Sequence, residues 1–183
     1  MMKSNISEEF AKITLKTVQP RNDEQKTYIE RLKKVTLSKD APWCLIVSGT
    51  KGNGKSYIAQ VAVNTFNVCR FEGALYTTQP TIQYELWDNT ISNGEVFFKY
   101  VYAPMLVIDE LSDRPKDWTE FIKTTIENIL IERHRLHLPT VIIGNVALRN
   151  IGQMFDVRVR DRLKEGLRMV MNEDSMRQEN EDD

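Results

Sequence analysis

The strongest constraint on the fold lies at residues 43–66. A short apolar run, Trp43-Cys44-Leu45-Ile46-Val47-Ser48, leads into Gly49-Thr50-Lys51-Gly52-Asn53-Gly54-Lys55-Ser56. A segment with Ile58, Val61, Ala62 and Phe66 at helical spacing follows. Apolar strand, glycine-rich turn and amphipathic helix, in that order, form the opening unit of a parallel α/β sheet. The turn matches G-x-x-x-x-G-K-[ST] at every fixed position. Glycines let a backbone bend where a Cβ would clash, so that successive N–H groups point inward at an anion, and the helix aims its N-terminus at the same place. On this reading Gly49 to Ser56 cradle the phosphates of ATP. Lys55 supplies a cation to the β and γ phosphates, and Ser56 an oxygen ligand for Mg2+. The competing reading, a plain glycine-rich turn, does not account for the strand before it and the helix after it.

The alternation continues along the chain. Apolar runs predict further strands at 73–77, 105–109, 140–144 and 167–171. Helical spacing predicts helices over 22–37, from Pro80 towards Asn89, over 117–136 with Trp118, Phe121, Ile122, Ile126, Ile129 and Leu130 inward, and over 147–155 and 157–165. Asn93-Gly94 reads as a turn, residues 95–102 are aromatic-rich and ambiguous, and the segment ITLKTV is either a short edge strand or an arm. Strands alternating with helices imply one α/β domain built on a five-stranded parallel sheet covered on both faces. The expected organisation is an N-terminal arm and helix at 1–39, a core at 40–172 and an acidic, disordered tail at 173–183.

Composition excludes other classes. The 183 residues suit one domain, and with 41% hydrophobic and 28% charged residues they have ordinary globular proportions. No apolar run is long enough for a membrane helix, and the start MMKSNISEEF lacks a signal peptide's apolar stretch. Cys44 and Cys69 make neither a disulfide framework nor a CxxC metal pattern, so a cytoplasmic setting with free thiols is expected. The net charge of −1 conceals a basic segment carrying Arg149, Arg158, Arg160, Arg162, Lys164 and Arg168.

Three further features carry chemistry. Asp109 and Glu110 end the run Met105-Leu106-Val107-Ile108, where ligands bind in open α/β sheets. An Asp there holds Mg2+ in P-loop ATPases, and the adjacent Glu polarises an attacking water. The bland alternative is a solvated pair or a helix cap. Asn145 directly follows the fourth strand, where an amide reaches a γ-phosphate or the attacking water, or else caps the next helix. Arg158 and Arg162 lie four apart and share a helix face, suiting either an arginine finger offered to a neighbouring subunit or a solvated basic helix. His134 and His137 have no supporting ligand pattern and read as surface residues.

Taken together, GTKGNGKS, MLVIDEL, the helix ending IERHRLHLPT, VIIGN and DVRVRDRL resemble the DnaC/DnaI-type bacterial helicase loaders and the related IstB transposition helpers, in the initiator clade of AAA+ ATPases. The resemblance covers roughly residues 40–172. It implies a three-layer P-loop NTPase fold, with Lys55, Ser56, Asp109 and Glu110 as the ATP and Mg2+ site, Asn145 as the sensor-1 residue and Arg158 and Arg162 as the arginine box and finger. It also implies an ATP-dependent oligomer, a replicative helicase as partner, and a single-stranded DNA path along Thr81–Ile91. Tyr84 and Trp87 would stack on bases there, although aromatics at helical spacing are more often core. Lys99, Arg114 and Lys116 would add phosphate contacts. Two departures stand out: only about 40 residues precede the core, where loaders usually carry a helicase-binding region, and a C-terminal helical lid is not expected after residue 172. The alternatives implied are an IstB-like helper on duplex DNA, and an adapter that uses ATP as a switch without turnover.

Overall fold

The computed structural model describes residues 13–38, 40–70, 73–88, 92–112 and 119–172. Five strands, β1 (Cys44–Gly49), β2 (Leu75–Thr78), β3 (Leu106–Leu111), β4 (Thr140–Gly144) and β5 (Leu167–Met171), form one sheet in the order β2-β3-β4-β1-β5. Every pairing is parallel, as the alternation required. The helices are α1 (Asp23–Leu37), α2 (Lys55–Arg70), α3 (Gln79–Trp87), α4 (Asn93–Tyr102), α5 (Glu120–Arg135), α6 (Leu148–Gln153) and α7 (Val157–Lys164).

Strand side chains alternate between faces, and the two faces feed two cores. Cys44, Ile46, Leu106, Ile108 and Ile142 pack with residues of α3 to α7. Leu45, Val47, Val107, Val141, Ile143 and Met169 pack with α1 and α2. Helices thus cover both faces, giving three layers. From β1 the chain leaves towards α2 on one face, and from its neighbour β4 towards α6 and α7 on the other. The carboxyl ends of β1 and β4 therefore border the crevice where open α/β sheets take their ligands.

Two local expectations change, and two that were open are decided. Asn93-Gly94 does not turn. It opens α4, because Ser92 and Glu95 form a capping box in which each side chain bonds the other's backbone N–H. That box organises the ambiguous aromatic stretch as a helix burying Val96, Tyr100 and Val101. The segment ITLKTV makes no strand. Residues 15–17 turn, and Leu15 is buried while its N–H donates to Thr65 Oγ1 at 2.7 Å, pinning the segment to α2. Phe121 is exposed, whereas Ile122, Ile126, Ile129 and Leu130 face inward; Trp118 lies outside the described residues. Among the described residues no helix follows β5, and no helix is long and apolar enough to cross a membrane.

Candidate functional site

The glycine loop is held by two distant elements. Gly49 has φ +143°, and a Cβ there would lie 1.9 Å from the carbonyl oxygen of Met171, the last residue of β5. The Thr50 N–H donates to that same oxygen at 3.2 Å, and Asn53 Nδ2 donates to it at 2.6 Å. On the other flank Gln25 Nε2, from the first turn of α1, donates to the Asn53 carbonyl at 3.0 Å. Gly54 has φ +87°, and a Cβ there would sit 2.7 Å from that Gln25 nitrogen. Gly49→Ala therefore pushes against backbone that cannot yield without moving β5. We expect a loss of about 2–4 kcal/mol in stability, read by thermal unfolding; an unchanged melt would show that the loop is not clamped as described.

Lys55 is the first residue of α2, and its ammonium turns back into the loop. It donates to the Gly49 carbonyl at 3.1 Å, the Thr50 carbonyl at 2.5 Å and Asn53 Oδ1 at 2.9 Å. Burial pulls its pKa down to about 8, against the opposing charge of Asp109.

Asp109 is 2% exposed, and both its carboxylate oxygens are engaged. Oδ1 accepts the Glu110 N–H at 2.6 Å, and Oδ2 accepts the Tyr76 phenol at 2.5 Å. Glu110 stands at φ +57°, where the β3–β4 register slips between Ile108 and Leu111. A left-handed residue that is not glycine costs about 1–2 kcal/mol. Here the bulge swings an exposed Glu110 out of the ladder at the cavity mouth, and pairing resumes at Leu111 with Gly144. Neither acid caps α5, the next helix among the described residues, whose N-cap is Thr119. Asn145 is exposed just beyond β4 and is no cap either, because the N-cap of α6 is Ala147.

One cavity of about 1060 Å3 brings these groups together. Lys51 to Ser56, Asp109, Glu110 and Asn145 line it, with Gly49 and Thr50 at the root of the loop. Part of its wall is formed by Val18 to Arg21, with Gln25. The sequence reading missed that wall and missed Tyr76. No local motif marks either one, because both act through contacts with residues far along the chain.

Arg158 and Arg162 do not line the cavity within one chain. Arg158 is exposed, with Nε donating to Asp156 Oδ2 at 2.8 Å. Arg162 is half-buried, with one guanidinium nitrogen donating to the Arg158 carbonyl at 2.7 Å and a buried Nε that has no hydrogen-bond partner among the described residues. His134 hydrogen-bonds Glu165 and packs edge-on against Trp43, while His137 is exposed.

Among the described residues no group of three His, Cys, Asp or Glu side chains could hold a metal unaided. Ser56 and Asp109 nonetheless offer hard oxygen donors. Such a pair suits Mg2+, which keeps several waters and completes its shell with phosphate oxygens.

A parallel sheet in this order, with a glycine loop after β1, an acidic pair on β3 and a polar residue beyond β4, is the fold of an AAA+ P-loop domain. No protein-family model matches the chain, and no curated protein matches its sequence. Solved structures do match. The DnaC helicase loader superposes with a TM-score of 0.74 at 15% identity, covering 90% of this chain and 99% of that one. DnaI does so at 0.72 and 17%, covering 95% of each. The replication initiator DnaA bound to AMPPCP and single-stranded DNA gives 0.75 and 16%, over 93% of this chain and 52% of DnaA. The chain thus spans about half of that protein and nearly the whole of the other two.

Proposed function

We propose that this protein is an ATP-hydrolysing DNA-replication ATPase of the helicase-loader kind. The observation that carries the reading is the convergence of Lys55, Asp109, Glu110 and Asn145 on one cavity at the glycine loop. The structural likeness to DnaC, DnaI and nucleotide-bound DnaA supports it.

In this reading the loop N–H groups and the Lys55 ammonium bind the polyphosphate. Ser56 and Asp109 would hold Mg2+, which supplies charge neutralisation at the β and γ phosphates. Glu110 accepts a proton from the attacking water, and Asn145 orients that water or the γ-phosphate by hydrogen bonding. Arg158 or Arg162 of a neighbouring copy meets the charge that develops during transfer, so turnover depends on oligomer formation. We expect Arg162→Ala to bind ATP normally and to lose roughly 10³-fold in turnover at oligomer-forming concentrations. Wild-type rates from this variant would end the finger assignment.

The partners in this reading are single-stranded DNA and a replicative helicase. Tyr84 and Trp87 on α3 are 69% and 56% exposed, which supports base stacking and argues against a core role. Among the proposed phosphate contacts, Lys99 is held by Glu85 at 2.6 Å, and Arg114 and Lys116 lie outside the described residues. The deciding experiment measures ATP turnover with and without single-stranded DNA, together with co-purification of a hexameric helicase. Stimulated turnover and helicase capture support the loader. Tight ATP binding without turnover would replace it with the adapter, and a preference for duplex DNA with the transposition helper.

A further inference from the structure

Tyr76 occupies an unusual position between the two candidate metal-binding elements. In the β2–β3 register Tyr76 pairs with Val107, so Tyr76, Val107 and Asp109 point to the same face of the sheet. A diagonal neighbour two residues along lies within reach of a long side chain, and the phenol of Tyr76 spans that distance to donate to Asp109 Oδ2 at 2.5 Å. The helix packed on this face is α2, whose first turns place Ser56 and Gln60 four apart on one side. Both of these residues lie near the phenol. The phenol therefore stands between the acid at the end of β3 and the first turn of α2.

The chemistry fixes the direction of the bond. A carboxylate has lone pairs and no proton to give, so the phenol O–H is the donor to Asp109 Oδ2. The carboxylate of Asp109 is thereby held at both oxygens, by the phenol and by the Glu110 N–H. Each oxygen still has a lone pair for a cation or a cation's water. Hydrogen-bonded carboxylates of this kind are oriented metal ligands, and losing the outer partner typically weakens metal binding by about 10–100-fold.

We propose that Tyr76 is a positioning residue that orients Asp109 for capture of the divalent cation accompanying the nucleotide. The inference rests on the ATPase reading above and adds to it a residue on the neighbouring strand. The test is a Mg2+ titration of fluorescent-ATP binding, repeated in EDTA, on wild type and Tyr76→Phe. A parallel titration with Mn2+ and AMPPCP reads the bound cation directly by electron paramagnetic resonance. Tyr76→Phe keeps the ring, and a thermal melt confirms that the variant folds.

The expected result is a half-saturating Mg2+ or Mn2+ concentration raised about tenfold, with nucleotide affinity in EDTA unchanged. In an Asp109→Asn background, Tyr76→Phe should add nothing, because its effect passes through that carboxylate. An unchanged or lowered cation requirement overturns the proposal. So does an equal loss of affinity with and without the cation, which would mark a general packing role. Wild-type protein that binds no nucleotide removes the ATPase reading itself, an outcome set apart because it appears before any variant is made.

Discussion

Lys55→Ala should abolish ATP turnover, by roughly 10²–10³-fold or more, while leaving a folded domain. The lysine is 4% exposed, and its ammonium already sits among the Gly49 and Thr50 carbonyls and the Asn53 side chain, at the centre of the loop. Alanine deletes the cation that phosphates would meet, and also the desolvated charge that burial disfavours. Stability should therefore change little while binding collapses. The pH dependence provides an independent check. With a pKa pulled down to about 8, the lysine is charged below that pH and increasingly neutral above it. A bound polyphosphate favours the ammonium, so binding above that pH requires proton uptake. Affinity should then weaken by up to about tenfold per pH unit. Nucleotide calorimetry from pH 6 to pH 9.5 (roughly the range that spans the transition) decides it. A flat profile in wild type would mean that Lys55 does not contact the phosphates.

The second large effect lies far from the site. Arg133 of α5 is fully buried and makes five hydrogen bonds. It donates to the carbonyls of Tyr100, Val101 and Ala103 at the end of α4, to the Pro139 carbonyl, and to Thr140 Oγ1 at the start of β4. The last carbonyls of a helix lack partners within it and carry its negative dipole end, which is the environment this guanidinium occupies. Among the described residues no carboxylate pairs with it, and burial lowers its pKa to about 9, so neutral carbonyls and the Thr140 hydroxyl hold the charge. Arg133→Met should cost about 3–5 kcal/mol, because it takes the guanidinium from the buried carbonyls of Tyr100, Val101 and Ala103. In a domain of this size that lowers the melting temperature by about 10 °C. Arg133→Lys should recover only part of the loss, since an ammonium cannot reproduce the planar fork. A Met variant melting with wild type would show that these bonds contribute nothing net.

The contrast between Lys55 and Arg133 shows what a linear reading reaches. Lys55 sits in a motif whose spacing is local, so its chemistry is visible without coordinates. Arg133 sits in IERHRLHLPT among other charged residues, and a charged residue is ordinarily exposed. Nothing within ten positions announces that α4 will end against it, because Tyr100 is 33 residues away. The helix α4 itself was obscured by its aromatics. Phe98 and Tyr102 are exposed and stack on each other at 5.7 Å, which blurs the apolar period that Val96, Tyr100 and Val101 would have shown. Its Ser92-x-x-Glu95 box was a legible start signal that the adjoining Asn-Gly overshadowed.

The candidate site divides along the same line. Five apolar runs, the glycine loop and the acid at the end of β3 were readable in one dimension, because strand burial, backbone freedom and helix periodicity each arise within a few consecutive residues. Three-dimensional packing settled the rest: the strand order, the clamp of Met171 and Gln25 on the loop, the Val18–Arg21 wall, and Tyr76 against Asp109. Each of these joins groups separated by tens of residues, and such contacts come into being only when the two cores close on the sheet.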